Sequence, residues 1–310
     1  MTLKHLTVIP VPGPGAEDVV VATEGPDAGS VFTGTEDGAI WRVSADGSKV
    51  DRVASTGGRP LGIEIDADGR LLVCDADRGL LRVEPASGSV EAVLDSVDGV
   101  PMKFCNNAAI SRDGTVWFSD SSTVHRIDHW KSDIAEATCT GRLLRLDPDG
   151  TLSVVLDGLD FANGVALSAD ESYVAVAESG ACTVVRHWLT GDRAGTRDLL
   201  VPELPGYPDN IARGSDGLIW VTIASSRVAL AQRIRVGPHW LRRAATSVPQ
   251  KLQPKPGRVV RVQAYDDAGA LVHDIDLPAA GYSFVTGVRE HEGRVWMGSL
   301  LEPAIAFLDL

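Results

Sequence analysis

Four residues of this 310-residue chain have the chemistry of a hard-cation site: Glu17, Asn106, Asn163 and Asp209. Two carboxylates and two carboxamides make an all-oxygen donor set. Ca2+ favours such a set and takes several of these ligands at ~2.3–2.6 Å. Softer metals prefer imidazole or thiolate, and the set contains neither. Each of the four leads a similar short stretch: Glu17-Asp-Val-Val-Val, Asn106-Asn-Ala-Ala-Ile, Asn163-Gly-Val-Ala-Leu and Asp209-Asn-Ile-Ala-Arg. Two more copies of the register are led by Leu61 and Thr286. A single Asn before Gly reads as a turn former. Four oxygen donors at matched positions point instead to one shared site.

The six lead positions lie 44, 45, 57, 46 and 77 residues apart. A base period near 45 with two insertions is a repeat architecture. Each repeat reads as four short strands of alternating aliphatic residues between Asp-Gly or Ser-Gly turns, a β-meander. In the second repeat these are Gly62-Ile-Glu-Ile-Asp, Leu71-Leu-Val-Cys-Asp, Gly79-Leu-Leu-Arg-Val-Glu and Val90-Glu-Ala-Val-Leu. The last repeat reaches Leu310 on its third strand, and Leu3 to Pro10 reads as the missing outer strand. The pattern predicts an all-β, six-bladed β-propeller over residues 1–310 as a single domain. Its blades are four-stranded, and the N-terminal strand joins the last blade to close the ring, which removes exposed sheet edges. Innermost strands of such a ring line a central channel, so the lead residues face one another.

A net charge of −13 argues against nucleic acid or an anionic membrane as the main partner and suits a cation. No apolar run is long enough for a transmembrane anchor, and the N-terminus lacks a signal-peptide core. Cys74, Cys105, Cys139 and Cys182 are widely spaced and read as buried thiols, with a Cys105–Cys139 bridge left open. Together these predict a cytoplasmic protein. Asp66-Ala-Asp-Gly69 and Asp147-Pro-Asp-Gly150 read as hairpin turns, not calcium loops. No Gly-x-Ser-x-Gly elbow, phosphate loop or HExxH occurs.

The long spacings place insertions at about 121–140 and 224–257, expected to form caps or lids over one face. The first holds His125 and His129, a zinc pair only if further ligands exist nearby; a polar cap is the reading adopted. The second lies in a stretch without Asp or Glu between Asp216 and Asp266, and carries Arg227, Arg233, Arg235, Arg242, Arg243, Lys251 and Lys255. Trp240, Leu241 and Val228-Ala-Leu add apolar content, and Pro249, Pro254 and Pro256 end any helix. It reads as an excursion packed on the acidic body, a lid over the substrate, or a membrane-surface contact.

Motifs across nearly the whole chain resemble the strictosidine synthase-like branch of the calcium-dependent six-bladed propellers. The superfamily includes the SMP-30/gluconolactonase proteins and the paraoxonases; the motifs are most similar to those of the adipocyte plasma membrane-associated branch. They include Phe32-Thr-Gly-Thr-Glu-Asp-Gly38, Arg59-Pro-Leu-Gly-Ile63, Phe118-Ser-Asp-Ser-Ser122, Phe161-Ala-Asn-Gly164 and Gly206-Tyr-Pro-Asp-Asn-Ile211. The resemblance implies a central metal, usually Ca2+ with other divalent cations accepted, held by Glu17, Asn106, Asn163 and Asp209. It also implies hydrolysis of lactones, aryl esters or organophosphates. Three positions depart from the pattern. Asn107 replaces an Asp, Leu61 stands where paraoxonases have a catalytic His, and Thr286 stands where strictosidine synthase has its essential Glu.

The reading is therefore a Ca2+-dependent hydrolase of lactones or related carboxylic or aryl esters, acting on a small molecule. Asp209 is expected to orient or deprotonate the attacking water. Asn106 and Asn163 hold the metal and steer the carbonyl oxygen. Asn210 and Asn107, with Leu61 and Thr286, support the site or touch substrate. Two alternatives remain: a non-catalytic ligand-binding propeller with structural calcium, and a bond-forming biosynthetic enzyme whose expected Glu is replaced by Thr286.

Overall fold

The structure, a computed structural model, describes residues 5–247, 257–278 and 281–310. Among the described residues, six four-stranded antiparallel sheets form the blades of a propeller, and Ser96–Val97 pairs with Val100–Pro101 in a separate two-stranded hairpin. The innermost strands, in chain order, are Val19–Val21, Pro60–Ile65, Cys105–Ile110, Ala162–Leu167, Gly206–Arg213 and Val285–His291. Successive strands of each blade step outward. The sixth blade takes its outermost strand from Thr7–Pro10, which pairs with Ala304–Asp309 in the register Thr7↔Phe307 to Pro10↔Ala304. The proposed closing strand is thus present, although Leu3 and Lys4 lie outside the described residues.

Local sequence explains the blades. At the Asp66 turn, Oδ1 accepts the amides of Asp68 and Arg70, and Gly69 takes the left-handed conformation at φ +79° that the turn needs. The carboxylate is occupied with its own turn and with Arg70, as expected of a hairpin. The cores lie between blades. Tyr173 and Val184 of the fourth blade pack with Ile211 and Val221 of the fifth, for example. Each such large apolar side chain contributes roughly 1.5–3 kcal/mol on burial. Inner strands are nearly all buried on both faces and rich in Ala, Gly and Val, because the wedges narrow toward the axis and leave room only for small side chains.

Five of the six inner strands carry a register irregularity at the lead position and its successor. The breaks fall between Pro60 and Ile63, Cys105 and Ala108, Ala162 and Val165, Pro208 and Ile211, and Val285 and Val288. A bulge re-aims side chains and frees them from strict up-down alternation. The successors around the ring are Asp18, Gly62, Asn107, Gly164, Asn210 and Gly287, so polar residue and glycine alternate. Each glycine abuts its polar neighbour. A Cβ on Gly62 would lie 2.6 Å from Asn107 Cα, one on Gly164 2.6 Å from Asn210 Cα, and one on Gly287 2.5 Å from Asp18 Cα. The axis is therefore packed backbone against backbone in three blade pairs.

Both insertions lie at one end of the ring. The first contains helix α1 (Trp130–Glu136), and the second contains α2 (Ala229–Arg235) and α3 (His239–Thr246). The basic and proline positions Lys251, Lys255, Pro249, Pro254 and Pro256 lie outside the described residues. Residues of α1 and α2 line the same cavity.

Candidate functional site

Lead residues converge where the inner strands begin. Glu17, Leu61, Asn106, Asn163 and Asp209 line one cavity of about 510 Å³. Thr286 is not among the lining residues. It is fully buried, and its Oγ1 donates to the Glu17 carbonyl oxygen at 2.8 Å. The successor residues brace the ring instead of facing the cavity. Asn210 Nδ2 donates to Glu17 Oε1 at 3.0 Å. Asn107 Oδ1 accepts the Val165 amide at 2.8 Å, and its Nδ2 donates to Asp18 Oδ2 at 3.3 Å.

Two serines fix which way the lead carboxamides point. Ser121 Oγ donates its only proton to the Ala162 carbonyl at 2.6 Å, so toward Asn106 it can only accept, and Asn106 Nδ2 is 2.9 Å away. Ser179 Oγ likewise donates to the Pro208 carbonyl at 2.7 Å and accepts from Asn163 Nδ2 at 3.1 Å. A flipped amide would set oxygen against oxygen. Both Oδ1 atoms are thereby held away from the serines. Neither has a partner, and the same is true of Glu17 Oε2 and Asn210 Oδ1. A buried acceptor without a partner costs about 1–3 kcal/mol. Several acceptor oxygens at one spot fit a hard cation. The donors are carboxamides as much as carboxylates. Among the described residues, no group of three or more His, Cys, Asp and Glu is placed to hold a metal.

Electrostatics point the same way. Burial pushes the Asp209 carboxyl up to about 8, with Asp18 adding to the effect and a hydrogen bond from Asn163 opposing it. Asp209 is only partly buried by surface area because its open face is the cavity wall. Burial also raises Glu17 well above the usual carboxylate range, and the charges of Asp18 and Asp209 raise it further. Arg59 and the Asn210 hydrogen bond pull it back. Asp18 rises to about 7 through burial, opposed by Arg289. Burial thus holds these carboxyls toward their neutral forms, and a cation among them would favour the ionised ones.

Above this polar floor the cavity is apolar. Phe104, Phe161, Tyr207 and Phe284 stand two residues before four of the lead positions and all line it. This ring is missed when the lead positions alone are read. Its signal is plain in the sequence, since residues two apart on a strand share a face. Phe104 and Phe161 meet edge-to-face at 5.3 Å, and Trp130 of α1 lies 6.2 Å from Phe284. Leu61 joins Phe104, Phe161, Trp130 and Ile134 in one cluster, which makes it a wall residue.

The two insertions lock onto each other. α1 has no basic residue in its last turn. The second insertion supplies the missing donors: Arg235 to the Ile134 carbonyl and Arg242 to the Glu136 carbonyl at 2.7 Å. Arg235 also pairs with Asp160 on the propeller body. The inner face of this roof is apolar, where the sequence suggested a polar cap. His125 Nε2 faces Glu136 Oε2 at 3.3 Å, and no third metal ligand accompanies the histidines among the described residues. All four cysteines are free. Cys105 is buried beside Cys74 while Cys139 is exposed, so no Cys105–Cys139 bridge forms.

Residues 27–234 match the family model described as the SMP-30/gluconolactonase/LRE-like region. The strictosidine synthase-like 10 protein of Arabidopsis thaliana is 34% identical over 263 residues, 82% of this chain and 70% of its own. The adipocyte plasma membrane-associated protein of Rattus norvegicus is 33% identical over 90% of this chain and 80% of its own. Among solved structures, a gluconolactonase of Xanthomonas campestris superposes with a TM-score of 0.72 at 18% identity, covering 99% of this chain and 90% of its own. Regucalcin of Agrobacterium tumefaciens, described as a calcium-binding protein, superposes at 0.66 and 13% identity over 96% and 90%. At these identities the two structures show the shared fold. The expectation of a cytoplasmic protein is corrected here, because relatives matching 90% of the chain carry a plasma-membrane name. Among the described residues no helix is long and apolar enough to cross a membrane. That absence does not assign a compartment, since proteins also meet membranes through their surfaces.

Proposed function

The chain belongs to the SMP-30/gluconolactonase/LRE-like family, and from that membership we propose that it is a Ca2+-dependent hydrolase of apolar esters or lactones. The observation that carries this reading is a floor of partnerless oxygens beneath an apolar cavity. Glu17, Asn106, Asn163 and Asp209 would hold the cation, with Asn210 positioning Glu17. When bound, the cation polarises the ester carbonyl and acidifies a nearby water. Acceptor oxygens cannot stabilise an oxyanion themselves, which is why these residues need a positive charge between them and the substrate. Asp209 takes the proton of the attacking water on a carboxylate oxygen. Phe104, Phe161 and Phe284 orient the apolar part of the substrate and exclude bulk water. The whole chain acts as one propeller unit, with the two helical insertions as its roof.

A panel of aryl esters of increasing acyl length, with aliphatic and sugar lactones, tests the proposal with and without chelator. Chelator-sensitive turnover restored by Ca2+, favouring apolar acyl chains over sugar lactones, is expected. Metal binding without turnover on any member would instead indicate a ligand-binding propeller with structural calcium.

Cation affinity should depend on pH. The proton on Asp209 competes with the metal, so affinity should rise as pH climbs through about 8. The stability of the metal-free protein moves the other way. A carboxyl whose folded pKa is raised favours folding below its unfolded value of ~3.9, and that contribution is lost as pH climbs through about 8. The Ca2+-induced rise in Tm should therefore be larger at pH 8.5 than at pH 6. Calorimetric titrations and thermal scans at both values would show it, and equal shifts would contradict it.

A further inference from the structure

The five most exposed large apolar side chains among the described residues are Val236 (86%), Trp240 (69%), Val100 (64%), Leu230 (62%) and Leu301 (56%). All five sit at the roofed end of the ring. Leu230 lines the cavity, Val236 and Trp240 belong to the α2–α3 roof, and Leu301 follows the lining residue Leu300. Val100 lies on the short strand Val100–Pro101, which pairs with Ser96–Val97 just before Phe104. Of the seven less exposed members, Val8, Val154, Leu199, Leu271 and Val272 lie on strands at the outer rim of their blades, Val124 lies in the first insertion and Leu310 follows the strand Ala304–Asp309.

Charge follows the same geography. The protein carries −13 overall, yet residues 217–265 contain no Asp or Glu. Of the five arginines on the second insertion, Arg235 and Arg242 are used to hold α1. Arg227, Arg233 and Arg243 are exposed. Arg227 meets Glu203 at 3.2 Å, while Arg233 and Arg243 have no carboxylate partner among the described residues. On α3, Trp240 and Arg243 are three residues apart and share its outer face.

We propose that this face docks on an anionic lipid bilayer, with Trp240 and Val236 entering the interfacial region and Arg233 and Arg243 over the headgroups. Exposed aromatic and aliphatic side chains interleaved with arginine suit that interface, where apolar side chains sink and guanidinium groups meet lipid phosphates. The loop tips come from several blades, so a broad surface can meet them together, whereas a small partner would cover only some. A symmetric second copy would set basic roof against basic roof. Docking this way turns the cavity mouth toward the bilayer.

Sedimentation of the full chain with phosphatidylcholine vesicles, with and without 30 mol% phosphatidylserine, tests the proposal. Binding should require phosphatidylserine and weaken with added salt. Arg233→Glu with Arg243→Glu should lower partitioning by about tenfold or more. Trp240→Ser should lower it severalfold while hydrolysis of a soluble ester is unchanged. This separates failure of docking from failure of the proposed hydrolysis. Absence of phosphatidylserine-dependent binding at low salt would overturn the proposal. So would binding that survives the arginine reversals, or self-association in free solution that the same substitutions abolish.

Discussion

Replacing Asp209 with asparagine is expected to lower kcat/KM for ester hydrolysis by about 10²–10⁴-fold, the range for losing a general base. The substitution keeps the side chain's shape and removes its charge. It should also weaken the dependence of Ca2+ affinity on pH between 6 and 8, because one of the competing protons is gone while those on Glu17 and Asp18 remain. Its effect on the metal-free fold should be opposite in sign. Asp209 is a carboxyl that burial holds up to about 8, so at pH 8.5 the metal-free protein carries an unfavourable charge there. Asp209→Asn should therefore raise Tm at that pH without Ca2+ while shrinking the gain that Ca2+ produces. A site that destabilises the empty fold is the usual signature of functional constraint. Steady-state kinetics and paired thermal scans would check both halves. An active variant, or one whose metal-free Tm falls, would remove Asp209 from the proposed role.

The second large effect is expected far from any charge. Gly164→Ala would put a methyl group 2.0 Å from the Ile211 amide nitrogen and 2.5 Å from the Asn210 carbonyl carbon. Both are backbone atoms of the neighbouring inner strand, so no side chain can swing aside. Overpacking here should cost about 3 kcal/mol or more, a fall in Tm of about 6 °C or more. Asn210 would also be displaced from Glu17 Oε1, so Ca2+ affinity should drop in whatever protein remains folded. Gly257→Ala is the control, since its methyl group would meet nothing closer than Ser225 Oγ at 3.7 Å. Comparable melting of the two variants would refute the account of the axis.

The sequence by itself determined the number of blades, the position of every inner strand and the closing role of the N-terminal strand. These follow from local information: the period-two alternation, the Asp-Gly turns and the repeat near 45 residues. The convergence of Glu17, Asn106, Asn163 and Asp209 was readable for the same reason, because equivalent positions in a ring must face one axis. The aromatic ring of Phe104, Phe161, Tyr207 and Phe284 was just as readable two residues earlier in each repeat. The tertiary structure decided what each lead position does. Thr286 turns to the Glu17 carbonyl, and Asn210 reaches Glu17 across 193 residues of sequence. The carboxamide orientations hang on serines whose protons are taken by carbonyls of the adjacent blade. The two insertions form one roof because arginines of one satisfy the helix end of the other. Such contacts exist only once the ring has closed, and no local pattern encodes which atom of a distant blade will lie within hydrogen-bond reach.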